Sequence, residues 1–310
     1  MGPPTPPGTS REITGAVYDA SNVLQPDSQR IAPPGTQYNA LDPERVDRQD
    51  ARYLPGTWLY GGTWFDHFGH FMLETVTSLW PELSHEVRAQ WEQGLGGIVF
   101  HRFPFQNPPS AGPYQQTLID LAGFPGVNLE VVDAQPVAVR RLILPQRSLA
   151  IYDWATPEAA SVWSRIGLAA GSSSARPNGL LYLSRTRFNE RIRAQGGQAR
   201  TTVARDRQLD ELMDGAGFEV VCPETLDITT QIRLATASRV IAGLSGTALH
   251  LSAFAPTAAV LQFGDERWPN SLGFGQQLVS AAHGQRVALI PPTLGSLAVR
   301  LAVRRLVRRR

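Results

Sequence analysis

Two imidazoles and a carboxylate stand at His67, His70 and Glu74, spaced i, i+3 and i+7. On a helix over residues 64–80, at about 100° per residue, His67, His70, Glu74, Thr77 and Ser78 share one arc. Met72, Leu73, Val76, Leu79 and Trp80 fill the opposite arc. A solvated helix face ordinarily carries Lys, Arg and Glu. This arc has no permanent cation, and its groups suit a cleft that binds something polar and moves a proton. Glu74 and His70, four apart, suit a base and its orienting partner, in either order. Asp66 and His67 stand beside them as spare or acceptor-binding candidates. Two other readings stay open at this point. One is a pair of hydrogen-bonded histidines in a domain interface. The other is a metal site on His67, His70 and Glu74, whose spacing lacks the H-E-x-x-H arrangement.

The second half of the chain holds three more constellations. Tyr182-Leu183-Ser184-Arg185 reads as the end of a strand. Ligands of open α/β sheets bind beyond strand carboxyl ends, where an arginine suits bidentate contact to phosphate. Arg187, Arg191 and Arg193 read as a solvated basic loop. Residues 241–250 run from a strand through Gly243-Leu244-Ser245-Gly246-Thr247 into a helix that carries His250. The free N–H groups of such a helix start favour an anion, Gly246 admits a close ligand, and Ser245 and Thr247 offer hydroxyls. A plain turn capped by Ser245 is the simpler alternative. Glu224, after Phe218-Glu219-Val220-Val221-Cys222-Pro223, can accept from a ribose or sugar, with Gln231 in the next helix.

The elements that must position these groups alternate strand and helix. Strands are expected at residues 57–60, 97–101, 128–132 and 139–144, with helices at 64–80, 114–122 and 157–170. The second half reads as strands at 180–184, 218–222, 239–243, 258–263 and 286–290, with helices at 206–216, 228–237 and 247–254. Such alternation implies βαβ units around a parallel sheet. We expect a disordered tail over 1–15, an N-terminal domain over 16–170, a linker over 171–179 and a C-terminal domain over 180–310. Residues 20–55, rich in Pro, Asp and Gln, read as an extended lead-in. The fold class is α/β, with two Rossmann-like domains facing a cleft.

Composition removes several function classes. In 310 residues there are 29 basic side chains and all are arginine, so lysine-dependent phosphate loops, Schiff bases and lysine bases are excluded. Net charge is +2, against a general nucleic-acid binder. The single Cys222 allows no intrachain disulfide and fits a reducing cytoplasm. No apolar run reaches membrane-spanning length, and Met1–Ser10 lacks the apolar core of a secretory signal. The tail from Val299 is basic and amphipathic, suited either to a packed terminal helix or to peripheral contact with anionic membrane.

In these motifs the chain resembles glycosyltransferase family 61. The family signature N-x-x-H-[WF]-x-x-E appears as residues 67–74, with His67 in place of Asn. A Y-[IL]-S-R strand end is matched at Tyr182–Arg185. A G-F-E-V-V-x-P-E block is matched at Gly217–Glu224, a downstream Gln at Gln231, and a Gly-x-[HS]-G-[AST] turn at Gly243–Thr247. The resemblance covers about residues 55–265. It implies a GT-B-like, inverting enzyme of bacterial surface polysaccharide synthesis, moving a hexosyl or pentosyl group from a nucleoside diphosphate sugar to a glycan or lipid-linked acceptor without a metal or other cofactor. Glu74 and His70 would be catalytic. Arg185, Ser245, Gly246, Thr247, Glu224 and His250 would bind the donor. The alternatives are a catalytically silent binding member of the same fold, suggested by Ser245 and His67, and a metal-dependent hydrolase.

Overall fold

The computed structural model describes residues 16–30, 51–91, 94–103, 112–133, 135–151, 153–171, 178–199, 201–265, 269–291 and 296–308. The tail expected over 1–15, much of the lead-in, and linker positions 172–177 lie outside the described residues. The chain divides into two compact units. One is Met1–Gln115 with Gly123–Ala159, the other Gln116–Ala122 with Ala160–Arg310.

The first unit is built on β1 (Arg52–Trp64), β2 (Gly97–Arg102), β3 (Leu129–Val132) and β4 (Val137–Ile143). These pair in parallel in the order β3-β2-β1-β4. A two-residue pair, β5 (Leu149–Ala150) and β6 (Trp154–Ala155), follows. Between β1 and β2 lie α1 (Phe68–His70) and α2 (His85–Arg88); α3 (Pro113–Ala122) follows β2 and belongs to the second unit from Gln116 on. Trp64 ends β1 and packs edge-on against Phe71, 5.2 Å away, and Phe100 of β2, 5.0 Å away. Leu59, Phe71, Met72, Val76, Leu79, Ile98 and Phe100 are wholly buried around it. Each such side chain contributes about 1.5–3 kcal/mol relative to exposure. Gly61 is required where Phe100 lies on the backbone, since a Cβ there would meet Phe100 Cε1 at 2.1 Å.

The helix expected over residues 64–80 is corrected in two respects. It starts at Phe68, because β1 runs through Trp64 and His67 is still extended, at φ −75° and ψ 117°. Its pitch also changes. A π turn covers Phe71–Thr75, with the Val76 N–H donating to the Phe71 carbonyl five residues back, and a 3-10 stretch covers Val76–Leu83. Pro81, without an N–H, lies in that stretch. Residues 71–77 are all buried, so Glu74 and Thr77 face packed protein and not an open cleft. Chain beyond β4 covers them: Ser148 Oγ donates to the Thr77 carbonyl at 2.7 Å.

The second unit holds β7 (Gly179–Leu183), β8 (Glu219–Val221), β9 (Ser238–Leu244), β10 (Ala259–Phe263) and β11 (Val287–Ile290). They form a parallel sheet in the order β11-β10-β9-β7-β8. Its helices are α4 (Pro157–Ala169), α5 (Thr186–Ala194), α6 (Val203–Asp214), α7 (Ile228–Thr236), α8 (Phe274–His283) and α9 (Ser296–Arg308). β10 is buried at every position, as a strand covered on both faces requires. Thr202 caps α6 and Asp227 caps α7, each accepting an N–H of the first turn.

Three expectations change here. The supposed basic loop after Arg185 is α5, and α8 was not anticipated. Thr247–Phe254 is a 3-10 helix capped by Gly246, not by Ser245. The apolar stripe of α9 is core: Val299, Val303 and Leu306 are buried in the cluster that holds Val240, Leu261 and Ile290. Arg300, Arg304 and Arg305 face solvent. The face that a membrane would take lies against the sheet, so the expected peripheral membrane contact through this helix is not supported.

Candidate functional site

Each sheet has a point where strand order reverses, and the singled-out residues gather at both. In the first unit, β2 and β3 succeed β1 on one side while β4 lies on the other. The reversal falls between β1 and β4, the position where α/β sheets open a crevice beyond their strand ends. The chain leaving β1 carries Asp66, His67, His70 and Glu74, and the chain leaving β4 carries Arg147 and Ser148.

Glu74 is the centre of this cluster. Its carboxylate receives Arg30 Nε at 2.6 Å and Arg30 Nη2 at 2.9 Å, and His70 Nδ1 at 2.6 Å. Burial pushes the Glu74 carboxyl up, but the charge of Arg30, hydrogen bonds from His70 and Arg30 and the charge of His70 outweigh it and hold it down at about 2. An ionised carboxylate only accepts, so His70 Nδ1 donates to it, which leaves Nε2 as the ring nitrogen open to a substrate. The His70 side chain is 30% exposed while that of Glu74 is 6% exposed. The imidazole is the member of the pair that a substrate can reach. Phe65 stacks on it at 5.2 Å, and the exposed His67 meets it edge-on at 5.2 Å. Asp66 lies at the β1 exit, its carbonyl accepting from Tyr114 Oη at 2.7 Å. Burial raises the Asp66 carboxyl, opposed by a Trp64 hydrogen bond and the charge of Arg102.

The metal reading of this helix fares poorly on its donors. Both Glu74 oxygens are already engaged by Arg30 and His70. Among the described residues, no group of three or more His, Cys, Asp or Glu is placed to hold a metal ion.

In the second unit the order reverses between β7 and β9. Leu183 pairs with Gly243, so Arg185 and Ser245 each stand two residues beyond the same rung. Leu183 also pairs with Val221 of β8, which places Glu224 three residues beyond it. Three adjacent strands thus deliver Arg185, Ser245–Thr247 and Glu224 to one sheet edge. Arg185 is 8% exposed, with its guanidinium 4.6 Å from the centre of the Phe188 ring. Arg191 lies over the same ring at 5.3 Å. Ser184 Oγ accepts the Thr186 N–H at 3.1 Å, tightening the turn that aims Arg185. Gly246 has φ 153° and ψ 177°, a conformation almost restricted to glycine. Gly273, ahead of α8, leaves room beside Ser245, since a Cβ there would lie 3.3 Å from Ser245 Oγ.

His250, expected among the donor-binding residues, has another contact: it is buried, with Nδ1 3.3 Å from Gln276 Oε1 of α8. Gln231 Nε2 donates to the Pro223 and Leu226 carbonyls, both at 2.9 Å, and so holds the exposed Glu224 turn in shape. Sequence reasoning missed Arg30, Arg147, Tyr60 and His101. The partners of Glu74 and His70 come from distant segments, Arg30 being 44 residues from Glu74.

Two parallel sheets with polar groups at both reversal points fit many nucleotide-dependent enzymes, and sequence kinship narrows the choice. The family model for glycosyltransferase 61 matches residues 68–261. The chain belongs to glycosyltransferase family 61. As a family 61 glycosyltransferase it takes a sugar donor and an acceptor as substrates. The matched stretch contains His70, Glu74, Arg185, Glu224 and Ser245–Thr247; Arg30 and β1 precede it, and β11 and α9 follow it. No curated protein matches this family 61 chain. No helix among its described residues is long and apolar enough to cross a membrane.

Proposed function

We propose that this glycosyltransferase inverts the anomeric centre as it moves a hexosyl or pentosyl group from a nucleoside diphosphate sugar to a glycan or lipid-linked hydroxyl. The setting is bacterial surface polysaccharide assembly in the cytoplasm, and the fold is of the GT-B-like class. The observation that carries the reading is the placement of Arg185, Ser245–Thr247 and Glu224 beyond three neighbouring strands at a reversal of strand order. Arg185 and the N–H groups at the start of the 247–254 helix neutralise the diphosphate, and Glu224 accepts from the ribose.

The proposed chemistry is one in-line displacement. His70 Nε2 takes the acceptor hydroxyl proton while the acceptor oxygen bonds to the anomeric carbon. The bond from that carbon to the phosphate oxygen breaks, and its electron pair leaves with the diphosphate. Arg185 meets that developing charge without a metal ion. Glu74 keeps the His70 ring in the required tautomer and stabilises the imidazolium.

Calorimetric titration with nucleoside diphosphates tests the donor site. Arg185→Ala is expected to weaken binding roughly 10- to 150-fold, the worth of about 1.5–3 kcal/mol for a hydrogen bond to a charged group. Unchanged affinity in a folded variant would remove the phosphate from this sheet edge.

A further inference from the structure

We infer that the segment ahead of the first sheet belongs to the acceptor-side centre, and that Arg30 is a positioning residue which fixes both the direction and the charge of the Glu74–His70 pair. This rests on the reading of His70 as the proton acceptor. Residues 16–30 form a compact loop. Ser28 Oγ accepts the Val17 N–H at 2.9 Å and donates to the Gln25 carbonyl at 2.6 Å. The loop is bound to the sheet where β1 and β4 diverge. Tyr60 Oη of β1 donates to the Ser28 carbonyl at 2.7 Å, and Arg147 Nη2, beyond β4, approaches the same oxygen at 3.4 Å. His101 Nδ1 of β2 lies 3.0 Å from Tyr60 Oη. Two residues after Ser28, Arg30 enters the protein and forks onto Glu74 with its guanidinium 5.5 Å from the Phe65 ring centre. Phe65 in turn stacks on His70. The loop therefore touches the imidazole twice, through the carboxylate that holds its proton and through the ring on its face.

The fork has an electrostatic consequence. A buried carboxylate beside an imidazole favours the imidazolium, which cannot accept a proton. Arg30 offsets that charge at two hydrogen-bond distances. Among the described residues, the other ionisable groups facing the pair are Arg147 from the β4 exit, with Asp27 and Tyr60 beside it, and His67 from the same turn. Without Arg30, Arg147 is the permanent cation left near the carboxylate among the described residues, and the imidazole holds its proton to higher pH.

The experiment is a pH profile of kcat/KM for the full chain, with Arg30→Gln and Arg30→Lys. With Arg30→Gln, the acid limb is expected to move up by about one pH unit, with activity returning to within about tenfold of the parent on the alkaline side. With Arg30→Lys, which keeps the charge and loses the fork, the limb is expected to stay while kcat falls about tenfold. A loss of equal size at every pH in Arg30→Gln would make Arg30 a structural clamp only and overturn the inference. If Arg30→Gln does not fold, Arg30→Lys decides, and a kcat within threefold of the parent overturns it. His70→Asn separates the two readings: full activity in that variant defeats the assignment of His70, whereas its loss together with an unmoved limb in Arg30→Gln defeats only the role of Arg30.

Discussion

Replacing His70 by alanine is expected to lower the turnover rate by about 10²–10⁴, the usual cost of a lost general base. Affinity for the nucleoside diphosphate should stay near the parent value, because the groups proposed to hold it lie in the other unit. The change should be gentle on the fold, since the imidazole is partly exposed and Glu74 keeps its fork to Arg30. Glu74→Gln is expected to be comparably slow, because an amide no longer holds the ring as an ionised carboxylate does. Combining the two should cost far less than the product of the single losses, as groups acting as one unit do. Single-turnover rates with saturating donor make the measurement. A His70→Ala turnover within threefold of the parent would place the base elsewhere.

Glu74→Gln should also be felt in stability, by about 3–5 kcal/mol at neutral pH, because it leaves the buried Arg30 without its counter-charge. The sign of the pH dependence follows from the depressed carboxyl. Glu74 titrates at about 2 in the folded protein against an ordinary 4.5, so its stabilisation is complete above about 4.5 and disappears as the pH falls towards 2. Urea unfolding of parent and variant should therefore differ most at pH 6–7 and converge on acidification through that window. A gap that is constant from pH 7 to pH 3 would show that packing, not the ion pair, carries the loss.

The two sheets were legible in the sequence because their strands are apolar runs bounded by turn residues: Val240-Ile241-Ala242 and Val260-Leu261 read as little else. The residue types at the reversal points were legible too, since Arg185, Ser245 and Gly246 follow directly on such runs. α5 was missed because Phe188 and Ile192 are its only large apolar residues, one stripe of two positions beside four charged ones. α8 was missed because Gln276 and Ser280, both buried, interrupt its apolar face. Arg30 carries no local signal at all. Its meaning depends on a fork to a residue 44 positions away, and no periodicity reports that. The same contact limited the reading of the helix faces, because a polar arc that suits an open cleft in a sequence is buried once a partner arrives from outside the helix.

The π turn at Phe71–Thr75 acts as a ruler. Such turns hold one residue more than an α turn, and they tend to persist where a side chain must be aimed. His70 enters this turn and Glu74 lies within it, so their 2.6 Å contact depends on the count of residues between them as much as on their identity. Removing one residue between them would return the turn towards α pitch and leave His70 and Glu74 three apart instead of four, which changes the offset that now gives the hydrogen bond. A one-residue gap or insertion over these five positions should therefore disturb the pair as much as a substitution of Glu74 does.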